Sequence, residues 1–149
     1  MKLTNNERGV YTDFVKLTWE DLKTIGNGGT KKLATIPAGG AVSIVTVTNT
    51  VDIAGTTSLV FDIGVAAEAE AFIKDLDVDA MTVGLPVSNT GVDFVQSAGT
   101  TTFEAGLLPV RAVTTDTAIN LTITDASIAS ITAGEVIIGI GIVNLSQYR

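Results

Sequence analysis

The strongest constraint on this chain is a beat of two. From residue 31 onward, apolar residues alternate with polar ones in short runs. Leu59, Phe61 and Ile63 are interleaved with Val60, Asp62 and Gly64, and Ile119, Leu121 and Ile123 with Asn120, Thr122 and Thr124. A strand sends successive side chains to opposite faces, so such a run has one apolar and one wet face. This is the pattern of a half-buried antiparallel strand. Threonine, the commonest residue, fits the wet face because it is β-branched yet polar. A sheet with one apolar face needs a second sheet to cover it, which predicts a sandwich or barrel.

The runs come with turn signals between them. Strands are expected at Asp13–Leu17, Lys32–Ile36, Val42–Val51, Thr57–Val65, Thr82–Asn89 (interrupted by Pro86), Val92–Gln96, Thr100–Glu104, Leu107–Thr114, Thr117–Thr124 and Gly134–Leu145. Some of these are short, and about eight strands at spacings near ten residues describe the whole. Within Val42–Val51 the beat slips between Val42, Ile44 and Val45, Val47, which predicts a bulge. The Ala-rich acidic stretch after Ala66 departs from the beat, and a helical turn is expected near Ala69–Lys74. Thr18 and Asp21 have the spacing of a capping box opening a short helix through Lys23. Few helices and no strand–helix alternation exclude a parallel α/β fold.

The reading is an all-β, antiparallel two-sheet sandwich. Residues 1–30 are expected to form an N-terminal arm with one short helix, and residues 31–149 the sandwich. At 149 residues the chain fits one domain and needs no covalent staple. Ile36–Gly39 and Ile131–Gly134 each open an apolar run that closes on asparagine, at Asn49 and Asn144. Two related sheet halves would produce that echo, and so would chance.

The composition excludes much chemistry. There is no His and no Cys. Disulfides, thiolate metal sites, imidazole bases and the Ser-His-Asp and Cys-His triads are therefore absent. No carboxylate pair stands out as a glycosidase couple, so no catalytic residue and no cofactor is assigned. The net charge of −7 argues against nucleic-acid binding, which needs clustered cations. The cations are uneven: Lys2, Arg8, Lys16, Lys23, Lys31 and Lys32 precede Lys74, Arg111 and Arg149. The longest greasy run, Val136–Leu145, is broken by Gly139 and Gly141 and is shorter than the roughly 20 residues of a membrane helix. The first residues lack the apolar run of a secretion signal.

Alternate carboxylates at Asp75, Asp77 and Asp79 resemble half of a calcium loop. The glycine and distal glutamate of that loop are missing, so a solvated acidic loop is the simpler account and no metal site is assigned. Gly26–Gly29 lacks the Gly-Lys-Ser/Thr of a phosphate loop and reads as a hinge. Tyr11, Phe14 and Trp19, with Lys31, Lys32 and Arg111, are the candidate interface residues. An aromatic on a short segment packs against something, either this sandwich or a neighbouring subunit.

Lys31–Gly39 leading into Val42–Asn49, then Thr57–Ala66, the acidic stretch to Ala80, Leu121–Thr124 and Ile131–Ile138 resemble small structural proteins of tailed bacteriophages. The resemblance is to capsid decoration, or cement, proteins. It implies a sandwich of jelly-roll type and a non-enzymatic role on the outer surface of the virion, after synthesis in the host cytoplasm. Its implied partners are the major capsid protein and further copies of the chain, as a trimer or dimer, with neither nucleic acid nor membrane. Head-fibre and tail-associated sandwiches that bind a host receptor or glycan share the same style.

Overall fold

The structure is a computed structural model and describes residues 11–91 and 113–144. The alternating runs do become strands. They are β1 (Asp13–Thr18), β2 (Thr30–Ile36), β3 (Gly40–Ala54), β4 (Val60–Val65), β5 (Glu68–Asp77), β6 (Val87–Ser88), β7 (Thr117–Thr124) and β8 (Ala133–Asn144). Among the described residues one short α-helix, α1 (Trp19–Ile25), follows β1, and a single 3-10 turn (Ile128–Ser130) precedes β8. The expected strands at 92–96 and 100–104, and 107–112 of the run to Thr114, lie outside the described residues.

The strands form two four-stranded sheets, ordered β1-β8-β3-β6 and β2-β7-β4-β5. Strand pairing follows one rule. β1 pairs with β8, β2 with β7, β3 with β6 and β4 with β5, all antiparallel. The numbers of each pair add to nine, as when one long hairpin is rolled up on itself. Contacts of β8 with β3 and of β7 with β4 then join the four pairs into two sheets. This is the jelly roll, and it confirms the sandwich expected from the sequence.

The beat of two sets the core. Ile119, Leu121 and Ile123 on β7 stand beside Phe61 and Ile63 of the neighbouring β4 on one face of the second sheet, and all are fully buried. Val45 and Val47 on β3 and Val136, Ile138 and Ile140 on β8 line the other sheet. The slip in β3 is a bulge: register passes from Val42 opposite Ile142 to Ile44 opposite Gly141, leaving Ser43 over.

Three expectations need revision. The helical turn at Ala69–Lys74 is part of β5, with Ala71, Phe72 and Ile73 buried. Pairing with β4 supplies burial that outweighs the helix propensity of Ala and Glu. The segment expected as an arm holds β1, hydrogen-bonded along its length to β8, and α1, whose Leu22 is fully buried. Leu17 and Leu22 are core residues, so residues 13–25 are part of the sandwich. The echoed segments do not mark two sheet halves. They open β3 and β8, adjacent antiparallel strands of one sheet.

The capping box is formed as its spacing predicts. Thr18 Oγ1 accepts from the Asp21 amide at 3.4 Å, and Asp21 Oδ2 accepts from the Thr18 amide at 2.9 Å. Two otherwise orphaned N–H groups are thereby satisfied, worth about 1 kcal/mol.

Candidate functional site

Opposite residues of neighbouring antiparallel strands share a face. On the outer face of the β1-β8-β3-β6 sheet, Phe14, Gly139, Thr46 and Ser88 therefore stand in one row. Gly139 leaves a trough in that row, and Tyr11 fills it. The Tyr11 and Phe14 rings lie 5.2 Å apart at 48°. The Tyr11 hydroxyl lies 2.7 Å from Thr46 Oγ1, which is 2.8 Å from Ser88 Oγ. Tyr11 thus packs on its own sandwich, while Phe14 keeps 46% of its surface exposed.

The next rows are more polar. Lys16 faces Ile137, and its ammonium reaches Glu135 Oε2 at 2.7 Å. Glu135 Oε1 also accepts from Thr50 Oγ1 at 2.7 Å. Lys16 first, and then Thr50, hold the Glu135 carboxyl below its ordinary value. Trp19 on α1 is half-buried against the core, with the Lys23 ammonium 5.9 Å from its ring. A shallow groove of about 320 Å³ lies between Trp19, Val51 and Glu135. Lys31 and Lys32 are exposed on β2, the edge of the second sheet, and Lys31 acts electrostatically on Asp21 of α1. Arg111 lies outside the described residues.

The candidate interface residues therefore do not make one patch. Tyr11 and Phe14 belong to the first sheet's outer face. Trp19 lies on α1, and Lys31 acts on Asp21 of that helix, whereas Lys32 opposes Asn120 on the other face of β2. Sequence reasoning missed Leu85 and Val83, exposed at 61% and 45% in the loop before β6. The sequence predicts a strand over Thr82–Asn89 interrupted by Pro86, of which only Val87–Ser88 forms, and nothing marked those side chains as outward.

The acidic trio is also divided. The β4–β5 register brings Asp75 to Asp62 and Glu70, with one carboxylate oxygen of each within 4.8 Å of the others. That group is partly satisfied from within: Asp62 Oδ1 accepts from the Asp75 amide at 2.7 Å, and Lys74 pairs with Glu70 at 3.3 Å. Burial is the main cause that pushes the Asp62 carboxyl above its ordinary value. Asp77 and Asp79 lie at the end of β5 and just beyond it, near Asn49 of β3, whose Nδ2 donates to the Val78 carbonyl at 2.7 Å. Asn49 was detectable, since it shares the inward parity of Val45 and Val47. A polar residue in an apolar row is itself a signal.

Among the described residues, no helix is long and apolar enough to cross a membrane. The described residues define the class as a jelly roll of eight strands with rows of hydroxyls and isolated apolar side chains on its surface. Among solved structures, the chain is similar to a chain of the cyanophage Pam1 capsid asymmetric unit. The TM-score is 0.56 at 19% identity, over 87% of this chain and 79% of that one. It is also similar to a chain of the acidic stable capsid structure of the Helicobacter pylori bacteriophage KHP30. There the TM-score is 0.52 at 12% identity, over 91% of each chain. No protein-family model and no curated protein sequence matches it.

Proposed function

We propose that this chain is a non-enzymatic virion protein of a bacteriophage, a cement subunit that binds the outer capsid surface and bridges capsid subunits. The observation that carries the reading is the jelly-roll likeness, over nearly the whole chain, to chains from two phage capsid structures. The near-equal coverage with the KHP30 chain makes the two chains similar in length. The chemistry is consistent with that work. A cement protein acts by burying surface at subunit boundaries, which stabilises the closed shell by mass action. Contact area suffices, and no reactive group is required.

In this reading separate surfaces touch the capsid: Phe14 on the outer face of the first sheet, Trp19 and Lys31 at α1, and Lys32 on β2. Phe14 supplies an exposed aromatic anchor, and aromatics dominate such interfaces. The cations suit an acidic capsid surface. The partners are the major capsid protein and other copies of this chain.

The test is cryo-microscopy of intact particles with a count of copies. Copy numbers near those of the major capsid protein, with density over subunit boundaries, are expected. A handful of copies at one vertex or on the tail would overturn the cement role in favour of a head-fibre or tail protein. Binding to stripped particles checks the contact: Phe14→Ser, folded by circular dichroism, should weaken it at least tenfold.

A further inference from the structure

The loop before β6 is held by one buried residue. Asn49 on β3 is fully buried. Its Nδ2 donates to the Val78 carbonyl at 2.7 Å, where the loop leaves β5, and its own carbonyl accepts from the Gly84 amide at 2.8 Å. Between these anchors the Leu85 amide donates to the Thr82 carbonyl at 3.1 Å, and Gly84 has a φ of +80°. This is a type II turn, with glycine at the position that needs a positive φ. The turn exposes Val83 and Leu85. Residues 80–91 carry no charge, in a chain whose net charge is −7. Charge depletion around exposed apolar side chains is the composition of an interface core. Held in advance by Asn49, such a knob loses little freedom when it is buried.

A hole opens two residues further along β3. Val51 is exposed and lines the groove of about 320 Å³ together with Trp19, Ala133 and Gly134. The charged and hydroxyl groups Thr18, Glu20 and Glu135 also line it, and they are served from within. Thr18 closes the capping box with Asp21, and its Oγ1 lies 3.2 Å from Glu20 Oε2. Glu135 is engaged by Lys16 and Thr50. What the groove leaves uncommitted is apolar surface, so an apolar side chain suits it better than a cation or a sugar. Among the described residues, Val51, Val83 and Leu85 are three of the five exposed large apolar side chains, and all three belong to this stretch of β3 or to the loop it holds. Leu85 is too exposed to fill the groove of its own chain.

We propose that these two features join copies of the chain, the Val83–Leu85 turn of one copy seating in the Trp19–Val51 groove of another. Knob and groove are both apolar, and both stand open in the single chain. A one-way contact of this kind closes a ring, and two copies that exchange it about a twofold axis make a dimer. The contact rests on the proposed function in that it serves copies packed on one shell. It is tested on the free protein, so its failure and the failure of the cement role are distinguishable.

The test is sedimentation of the free full chain over the micromolar range, without capsids. The parent should sediment as more than one chain, with a mass that rises with concentration. Leu85→Ser removes the knob, and Val51→Ser removes an apolar wall of the groove. Each should weaken association at least about tenfold while circular dichroism stays that of the parent, since both side chains are exposed. A mixture of the two variants should associate more strongly than either alone, because the intact knob of one meets the intact groove of the other. Val143→Ser, exposed at the end of β8 away from Glu135, should change nothing. A parent that stays monomeric throughout would overturn the proposal. If Leu85→Ser then lost binding to stripped particles, the turn would belong to the shell contact instead. Association indifferent to both Leu85→Ser and Val51→Ser, or a mixture no stronger than either variant, would overturn it as well.

Discussion

The Tyr11 ring occupies the space that a side chain at Gly139 would need. A Cβ there would stand 2.9 Å from Tyr11 Cδ1 and Cε1, closer than real Cβ contacts allow. The relationship couples the segment ahead of β1 to the middle of β8, more than a hundred residues away in sequence. It also explains why an apolar run as long as β8 contains a glycine at this point. The sheet surface is hollowed there to receive an aromatic ring.

The first prediction follows directly. Gly139→Val should displace Tyr11 and cost about 1–3 kcal/mol in urea unfolding. Tyr11→Phe, which loses only the bond to Thr46, should cost about 0.5–1.5 kcal/mol. In the Tyr11→Ala background, Gly139→Val should cost less than it does alone, because the ring it collides with has gone. Strict additivity in that cycle would show that Tyr11 does not rest on Gly139.

The second prediction concerns α1. Thr18→Ala removes a capping acceptor, and Asp21→Ala removes its reciprocal partner. Each should lower stability by about 1 kcal/mol, and the pair together by less than the sum. Leu22 makes the consequence larger than helix fraying, since a loosened α1 would uncover a fully buried core residue. Hydrogen exchange at the α1 amides should speed up in either variant ahead of the β8 amides.

The third prediction is a stability maximum on the acid side of neutrality. The raised carboxyls are Asp62 and Asp79, both pushed up mainly by burial. The folded state then holds their protons more tightly than the unfolded chain does. Stability therefore rises as pH falls from neutrality through their folded-state values, which lie above the ordinary Asp value of about 3.9. The lowered groups are Asp21, through the Thr18 amide, and Glu135, through Lys16. Their contribution is present above the ordinary carboxylate range and is lost as pH falls through their depressed values. Urea midpoints between pH 7 and pH 2.5 should rise and then fall. Asp62→Asn should flatten the rising limb, and Glu135→Gln the falling one.

Much of this architecture can be read in the sequence, because strand parity is a local property. Ile119, Leu121 and Ile123 alternate with polar neighbours whatever they pack against, and the slip at Ser43 is visible without the partner strand. Pairing is not local. Ala69–Lys74 has good helix formers, and only its register with β4 makes it a strand. Asp62 reads correctly as an outward residue, but its meeting with Asp75 and Glu70 depends on that same register. Leu17 and Leu22 look like parts of a polar arm until β1 is seen paired with β8. Arm and core differ there by a hydrogen-bonding partner more than a hundred residues on. The exposed apolar residues were the least legible, because exposure of Phe14 or Leu85 depends on what covers each face.

The last prediction tests the tightest crossing in the second sheet. Gly64 lies on β4, where the β4–β5 hairpin closes through Ala66 and Ala67. A Cβ on Gly64 would stand inside contact distance of the Glu68 carbonyl oxygen and 2.6 Å from the Ala69 carbonyl carbon. Those are backbone atoms and cannot swing aside as a side-chain tip can. Gly64→Ala should therefore force β5 away from β4 and cost about 1–3 kcal/mol, despite alanine's lower entropic penalty in a strand. Gly84→Ala is the control. Nothing lies within 4 Å of its Cβ, but its φ of +80° imposes a left-handed conformation worth about 1–2 kcal/mol of strain. The two variants should differ in where the damage falls. Gly64→Ala should speed hydrogen exchange at the β4–β5 amides, whereas Gly84→Ala should act on the loop before β6. If Gly64→Ala left the β4–β5 amides as protected as in the parent, the close approach of β4 to β5 would not be a constraint on the fold.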